Sequence, residues 1–243
     1  MSEEGWRGVT RAAAGSLLVS EVFGPTVQGE GPASGRNAVF VRLGMCNLSC
    51  SWCDTSYTWD RKRHPLEQLL RSVTVEHLLA DLLGRRSGLV VLTGGEPLLQ
   101  RVALVPLARS LQLAGRAVHI ETSGTVPAGP MAAVVDLFVV SPKLANSGLP
   151  ESRRIRPTVL RSLFNTGHAV FKFVVTGPRD LEEVGWVVEL LGVAPEDVWI
   201  MPEGTDAERV LSVARHVLPA VLDRGWSLSL RDQVLLWGDE RGR

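Results

Sequence analysis

The chain is expected to fold as an α/β domain on a partial, laterally open (β/α)6-type, TIM-like barrel. Short apolar runs at 89–92, 117–120, 134–140, 169–175 and 198–201 have the length and composition of buried parallel strands. Segments of helical periodicity near 101–113, 157–164, 180–191 and 206–223 lie between several of them. The polar motifs fall directly after the strands: Thr93-Gly94-Gly95-Glu96-Pro97, Glu121-Thr122-Ser123-Gly124, Ser141-Pro142-Lys143, Thr176-Gly177 and Pro202-Glu203-Gly204. In αβ barrels the strand C-termini share one face, so one rim would collect all of these motifs. About six βα units are too few to close the usual eightfold barrel. A doubly wound sheet is the alternative, but its G-x-G-x-x-G turn is absent.

Length and composition agree. The 243 residues, 45% of them hydrophobic, suit one domain with a full core. We expect an arm over residues 1–16 and a single domain over 17–243. Twenty-six basic residues balance twenty-six acidic ones, so no overall field favours nucleic acid or a membrane surface as partner. Met1 to Ser16 has no apolar core of signal-peptide length and no later stretch is apolar enough to span a bilayer, which points to a cytoplasmic protein with a small substrate.

In chain order, residues 17–23 read as a strand interrupted by Gly24-Pro25. The following loop, Thr26-Val27-Gln28-Gly29-Glu30-Gly31-Pro32, cannot pack as a regular element and is placed to touch a ligand or cap the barrel. A second strand, 38–43, is apolar except for Arg42 and delivers the chain into Met45–Thr55. A helix follows over 74–84, capped by Ser72 or Thr74 and closed by Gly84.

Residues 45–55 gather every cysteine of the chain, Cys46, Cys50 and Cys53, in the spacing C-x3-C-x2-C. Three thiolates suit an iron–sulfur cluster with one iron left open to an outside ligand. A zinc site would need a fourth ligand from Asp54 or His64, and a disulfide would leave an odd thiol. His64, His77, His119, His168 and His216 form no spaced ligand set. Gly94-Gly95 lacks side chains, so its backbone can approach a ligand and offer carbonyls to an ammonium group, or can simply make a tight strand-to-helix turn. Ser141-Pro142-Lys143 supplies a hydroxyl and a cation, suited to a ribose and a carboxylate, or begins a helix with a solvated lysine.

The cysteine spacing resembles that of the radical S-adenosylmethionine (SAM) superfamily, and TGGEP resembles the element that holds the methionyl amine there. Phe23 to Pro32, Phe40-Val41-Arg42, Cys53-Asp54-Thr55 and Thr93 to Pro97 are together similar to the 7-carboxy-7-deazaguanine synthase family, from about residue 20 to the closing Leu236–Arg243. The resemblance implies conversion of 6-carboxy-5,6,7,8-tetrahydropterin to 7-carboxy-7-deazaguanine with loss of ammonia, feeding queuosine-type 7-deazapurines. It implies a [4Fe-4S] cluster on Cys46, Cys50 and Cys53, with SAM contacted by Trp52, Cys53, Asp54, Gly95, Ser141, Pro142 and Lys143. It further implies a pterin bound by Val27, Gln28, Gly29, Arg42 and Thr93, Mg²⁺ on Thr55, a flavodoxin- or ferredoxin-type electron donor, and a homodimer. No side chain is assigned as proton donor. Two features depart from the family pattern: the tail ends in Arg243, and Met201 stands where a more polar adenosine contact is expected. The rivals are another radical SAM enzyme, such as a glycyl-radical activase, and a cluster-based redox sensor.

Overall fold

The computed structural model describes residues 15–243. The arm expected over 1–16 therefore lies outside the described residues, except for Gly15 and Ser16.

The elements are β1 (Ser16–Val27), β2 (Asn37–Leu43), α1 (Leu66–Leu69), β3 (Arg71–Thr74), α2 (Val75–Gly84), β4 (Leu89–Gly94), α3 (Arg101–Leu113), β5 (Ala117–Thr122) and β6 (Leu137–Val140). They continue with α4 (Glu151–Arg154), α5 (Pro157–Phe164), β7 (Ala169–Val175), α6 (Asp180–Leu191), β8 (Val198–Pro202), α7 (Ala207–Asp223), β9 (Ser227–Leu228) and α8 (Asp232–Trp237). The strands form one sheet in the order β3-β1-β2-β4-β5-β6-β7-β8-β9. From β2 through β9 every pairing is parallel, whereas β1 runs antiparallel to both β2 and β3. The parallel strands follow one another in sequence order without a reversal, which is barrel-type winding and not the doubly wound kind. The edges, β3 and β9, leave the sheet laterally open.

Strand alternation explains how this sheet makes a site. Val39 and Val41 of β2, Val90 and Leu92 of β4, Val118 and Ile120 of β5, and Phe171, Phe173 and Val175 of β7 join the main core under the helices. The residues between them point to the opposite face. There Ala38, Phe40, Leu89 and Val91 pack with Ala33 into a small apolar plug. One step further along each strand the inner row turns polar at Arg42, Thr93 and Glu121, joined by Lys172 of β7, and these four line a cavity.

The helices form for ordinary reasons. Thr74 accepts the His77 N–H and caps α2, whose Leu78 and Leu82 are buried one turn apart. Asp206 caps α7, and Val210, Val213, Ala214, Val217 and Val221 make its buried stripe.

Two expectations need revision. Gly24-Pro25, a cis peptide, does not end the first strand; β1 runs on to Val27 with a slip in register between Phe23 and Thr26. Gly24 sits at φ +103°, and a Cβ there would fall 2.6 Å from the Ala38 carbonyl oxygen. Strand β6 begins at Leu137 because Gly129–Ala133 forms a 3-10 turn; Val134 and Val135 are apolar to fill the core, not to extend the strand. Five short elements, α1, β3, α4, β9 and α8, are too brief for periodicity to reveal.

Candidate active site

The cluster loop leaves β2 through Met45, a non-glycine residue at φ +76°. Such a conformation costs about 1–2 kcal/mol and is held here by its surroundings. The Met45 N–H donates to the Thr58 carbonyl at 2.8 Å, and its own carbonyl accepts the Glu96 N–H at 2.8 Å. That second bond draws the loop against the glycine turn. A Cβ at Gly94, φ +132°, would lie 2.3 Å from the Leu43 carbonyl oxygen, and one at Gly95 would lie 1.9 Å from that of Met45. The two glycines are thus required by the close approach of two backbones, whatever else they contact. Glu96 locks the turn from below. Fully buried, it accepts from the Leu98 N–H at 3.1 Å, Thr122 Oγ1 at 2.8 Å, and the Ser123 N–H and Oγ at 2.8 and 2.6 Å.

All three cysteines are free, and each lines the cavity. Burial, with the charges of Glu96, Cys53 and Cys50 adding to it, pushes the Cys46 thiol up to about 12, and burial also raises Cys50. Buried, mutually repelling thiols ionise when a cationic centre binds them, which suits a metal cluster. No group of three or more His, Cys, Asp or Glu side chains that could hold a single metal ion occurs among the described residues. A cubane needs less convergence, because its thiolates bind different irons. Around Cys53, Trp59 Nε1 donates to Sγ at 3.3 Å and Thr55 Oγ1 lies 3.6 Å away. Across the cavity, Lys143 Nζ donates to Ser141 Oγ at 2.9 Å and sits 5.6 Å from the Trp52 ring centre.

The cavity encloses about 450 Å³, within the usual range for small-molecule sites. Its deep wall is an ionic network. Thr93 Oγ1 donates to Glu121 Oε2 at 2.8 Å, and Gln28 Nε2 to Glu121 Oε1 at 3.2 Å. Lys172 bridges Glu121, at 3.8 Å, and Glu30. Glu30 also accepts from Arg231 Nε at 3.2 Å and Gln233 Nε2 at 2.7 Å. Burial alone would raise the Glu30 carboxyl, but Lys172 and then Arg231 outweigh it and hold it well below the usual carboxylate range. Burial likewise opposes the Lys172 charge, and Glu30 and Glu121 more than restore it.

The near wall is organised by Arg42. It is largely buried, its guanidinium carbon lies 5.3 Å from the Phe23 ring centre, and Nε donates to Glu21 Oε1 at 2.7 Å. Among the described residues its two Nη groups have no hydrogen-bond partner. The segment 238–243 closes this side, with Arg241 stacked 4.0 Å from the Tyr57 ring centre.

Of the residues singled out from the sequence, Val27, Gln28, Gly29, Arg42, Cys46, Cys50, Trp52, Cys53, Asp54, Thr55, Thr93, Gly95, Ser141 and Lys143 all line this one cavity. Pro142 is buried but off its wall. Asp54 is bonded to Arg231 Nη2 at 2.6 Å, and Gly29 is pressed by Gln233, whose Oε1 would meet a Cβ there at 1.8 Å. Met201 lines the cavity as an apolar contact. Sequence reasoning missed Glu21, Tyr57, Lys172, Arg231 and Gln233, and it placed Glu121 on the rim without giving it a role. Lys172 had a signal: a charge inside a continuous apolar strand needs a buried partner.

Comparison with known proteins agrees with this geometry. Residues 41–149 match the model of the radical SAM superfamily. The 7-carboxy-7-deazaguanine synthase of Rhodopirellula baltica is 36% identical over 97% of this chain and 92% of its own length, and that of Pyrobaculum aerophilum is 35% identical over 96% and 100%. The crystal structure of QueE from Escherichia coli superposes with a TM-score of 0.66 at 28% identity, covering 88% of this chain and 93% of that one. The cysteine loop, the open barrel-type sheet and full-length similarity to these proteins agree: the chain belongs to the 7-carboxy-7-deazaguanine synthase family of radical SAM enzymes.

Proposed function

We propose that the protein converts 6-carboxy-5,6,7,8-tetrahydropterin to 7-carboxy-7-deazaguanine and ammonia, with a [4Fe-4S] cluster, SAM and Mg²⁺. The observation that carries this reading is one cavity whose wall holds the cysteine loop, the unpaired end of Arg42 and the Glu30–Lys172–Glu121 network. The reaction is redox-neutral overall: the product and ammonia together contain every atom of the substrate. When bound, the cluster and SAM supply a 5′-deoxyadenosyl radical able to take hydrogen from carbon.

The chain's own residues then hold and shield the substrate. Cys46, Cys50 and Cys53 would hold the cluster; Trp52, Asp54, Gly95, Ser141 and Lys143 line the space for SAM. Arg42 offers its Nη pair to the pterin carboxylate, a bidentate geometry that a lysine cannot reproduce. Val27, Gln28, Gly29 and Thr93 wall the ring, and Glu121 fixes both Gln28 and Thr93. Thr55 supplies one oxygen beside the cluster loop for Mg²⁺, the rest of the shell coming from substrate and water. The closing segment 238–243 restricts water and favours a small molecule over a protein substrate.

We also read residues 17–243 as one domain that works as a cytoplasmic homodimer, reduced by a flavodoxin- or ferredoxin-type donor. The balanced charge supports a partner other than nucleic acid. No helix of the described residues is long and apolar enough to cross a membrane. The test is equilibrium binding of 6-carboxypterin, the oxidised and unreactive form of the substrate, to the anaerobic holoenzyme. One molecule should bind per chain and Arg42→Lys should weaken it at least about tenfold; no binding to the wild-type protein would overturn the reading.

A further inference from the structure

Nothing in the pattern of β1 alone turns Glu21 to the inner face of the sheet, behind the cavity wall that Arg42 forms. Val19, two residues earlier, points into the main core, and simple alternation would send Glu21 the same way. The register shows what prevents this. Val19 pairs with Leu43 but Glu21 pairs with Arg42, so Ser20 is an extra residue and the strand bulges there. The bulge re-aims Glu21 to the inner face and leaves Ser20 Oγ buried and, among the described residues, without a partner. Bulges of this kind beside a site are built features whose cost is tolerated for the side chain they direct.

Once turned inward, the Glu21 carboxylate is fully used. Oε1 accepts from Arg42 Nε at 2.7 Å and from Tyr57 OH at 2.8 Å; Oε2 accepts from Arg241 Nε at 2.8 Å. Its three partners come from β2, from the segment after the cluster loop and from the closing segment 238–243. Because Glu21 takes only Nε, the Arg42 guanidinium is fixed in plane while both Nη groups stay available.

We infer that Glu21 is a positioning residue: it orients Arg42 for the substrate carboxylate and pins the closing segment over the same part of the pocket through Arg241. This rests on the reading that Arg42 binds that carboxylate. Glu21 itself does not touch the reacting atoms. Its removal acts selectively, on ligands that carry the carboxylate.

The test compares the affinity of the anaerobic holoenzyme for 6-carboxypterin and for pterin, which lacks the carboxylate, in wild type, Glu21→Ala, Glu21→Asp and Arg42→Lys. Glu21→Ala should lose about tenfold in affinity for 6-carboxypterin and stay within about twofold of wild type for pterin. Glu21→Asp keeps the charge but withdraws it by one methylene, so it should show a smaller loss of the same selective kind. It carries the test if the alanine variant does not fold and load iron. Unchanged affinities in the Glu21 variants, with a selective loss in Arg42→Lys, would remove Glu21 while leaving Arg42 in place. An equal loss for both pterins would make Glu21 merely structural. Unchanged selectivity in Arg42→Lys would remove the role of both residues.

Discussion

Arg231 Nη2 donates to Asp54 Oδ2 at 2.6 Å, so the residue that precedes α8 is bonded to the residue directly after the third cysteine. The same guanidinium donates from Nε to Glu30 at 3.2 Å and from Nη1 to the Gly204 carbonyl at 2.6 Å. It ties four separate loops into one wall. Arg231→Ala would leave the buried Glu30 carboxylate with Lys172 and Gln233 but one donor short, a change that costs about 1–3 kcal/mol. Urea unfolding of the purified protein should show that loss; a midpoint within error of wild type would contradict the role given to Arg231. Asp54→Asn should cost far less, because Asp54 is 37% exposed and its pairing is partly screened.

Glu30 makes stability pH-dependent with a definite sign. Its folded carboxyl sits below the ordinary value of 4.5, so in acid the unfolded chain binds a proton that the folded chain resists. The stabilisation is therefore complete above about pH 4.5 and is lost as pH falls below it. Glu30→Gln should flatten the acid limb of the stability curve and destabilise the protein at neutral pH, where Lys172 loses its nearest partner. Parallel acid limbs in the two proteins would show that Glu30 is not the group responsible.

Cys46→Ala, Cys50→Ala and Cys53→Ala should each prevent assembly of the cluster, because two thiolates cannot hold a cubane firmly. Iron and sulfide analysis after anaerobic reconstitution measures this directly. Full iron content in any one variant would strike that residue from the ligand set.

How far these features could be read from sequence depends on how local their causes are. The C-x3-C-x2-C spacing and the TGGEP turn are short-range patterns, and both appear where expected on the rim. Arg42 and Thr93 came from the family resemblance, and strand alternation then accounts for both lying on the inner face of the sheet, where Arg42 pairs directly with Thr93. Glu21 was hidden because the bulge at Ser20 breaks that alternation, and nothing in a strand's own sequence marks the slip. Lys172, Arg231 and Gln233 were missed for a different reason. Their partner, Glu30, lies more than a hundred residues away in the chain, and a long-range ionic network has no periodicity. The glycines were legible as residues that must be small, but the pressing group, Met45 against Gly95, is visible only in three dimensions.

Thr55 separates the narrow family reading from a general radical SAM one. If its hydroxyl binds Mg²⁺, Thr55→Ala should keep its iron and its capacity for SAM cleavage while needing more Mg²⁺ for half-maximal turnover. Thr55→Ser, which retains the oxygen, should follow wild type. Coincident Mg²⁺ titrations in all three proteins would reduce Thr55 to the residue that begins the 3-10 turn at Ser56.

The most direct test of the proposed reaction is anaerobic turnover of 6-carboxy-5,6,7,8-tetrahydropterin with the reconstituted protein, SAM, a reductant and Mg²⁺, with both products quantified. The account predicts 7-carboxy-7-deazaguanine and ammonia in equal amounts, and neither when SAM or reductant is omitted. Reductive cleavage of SAM without formation of the deazaguanine or release of ammonia would contradict it.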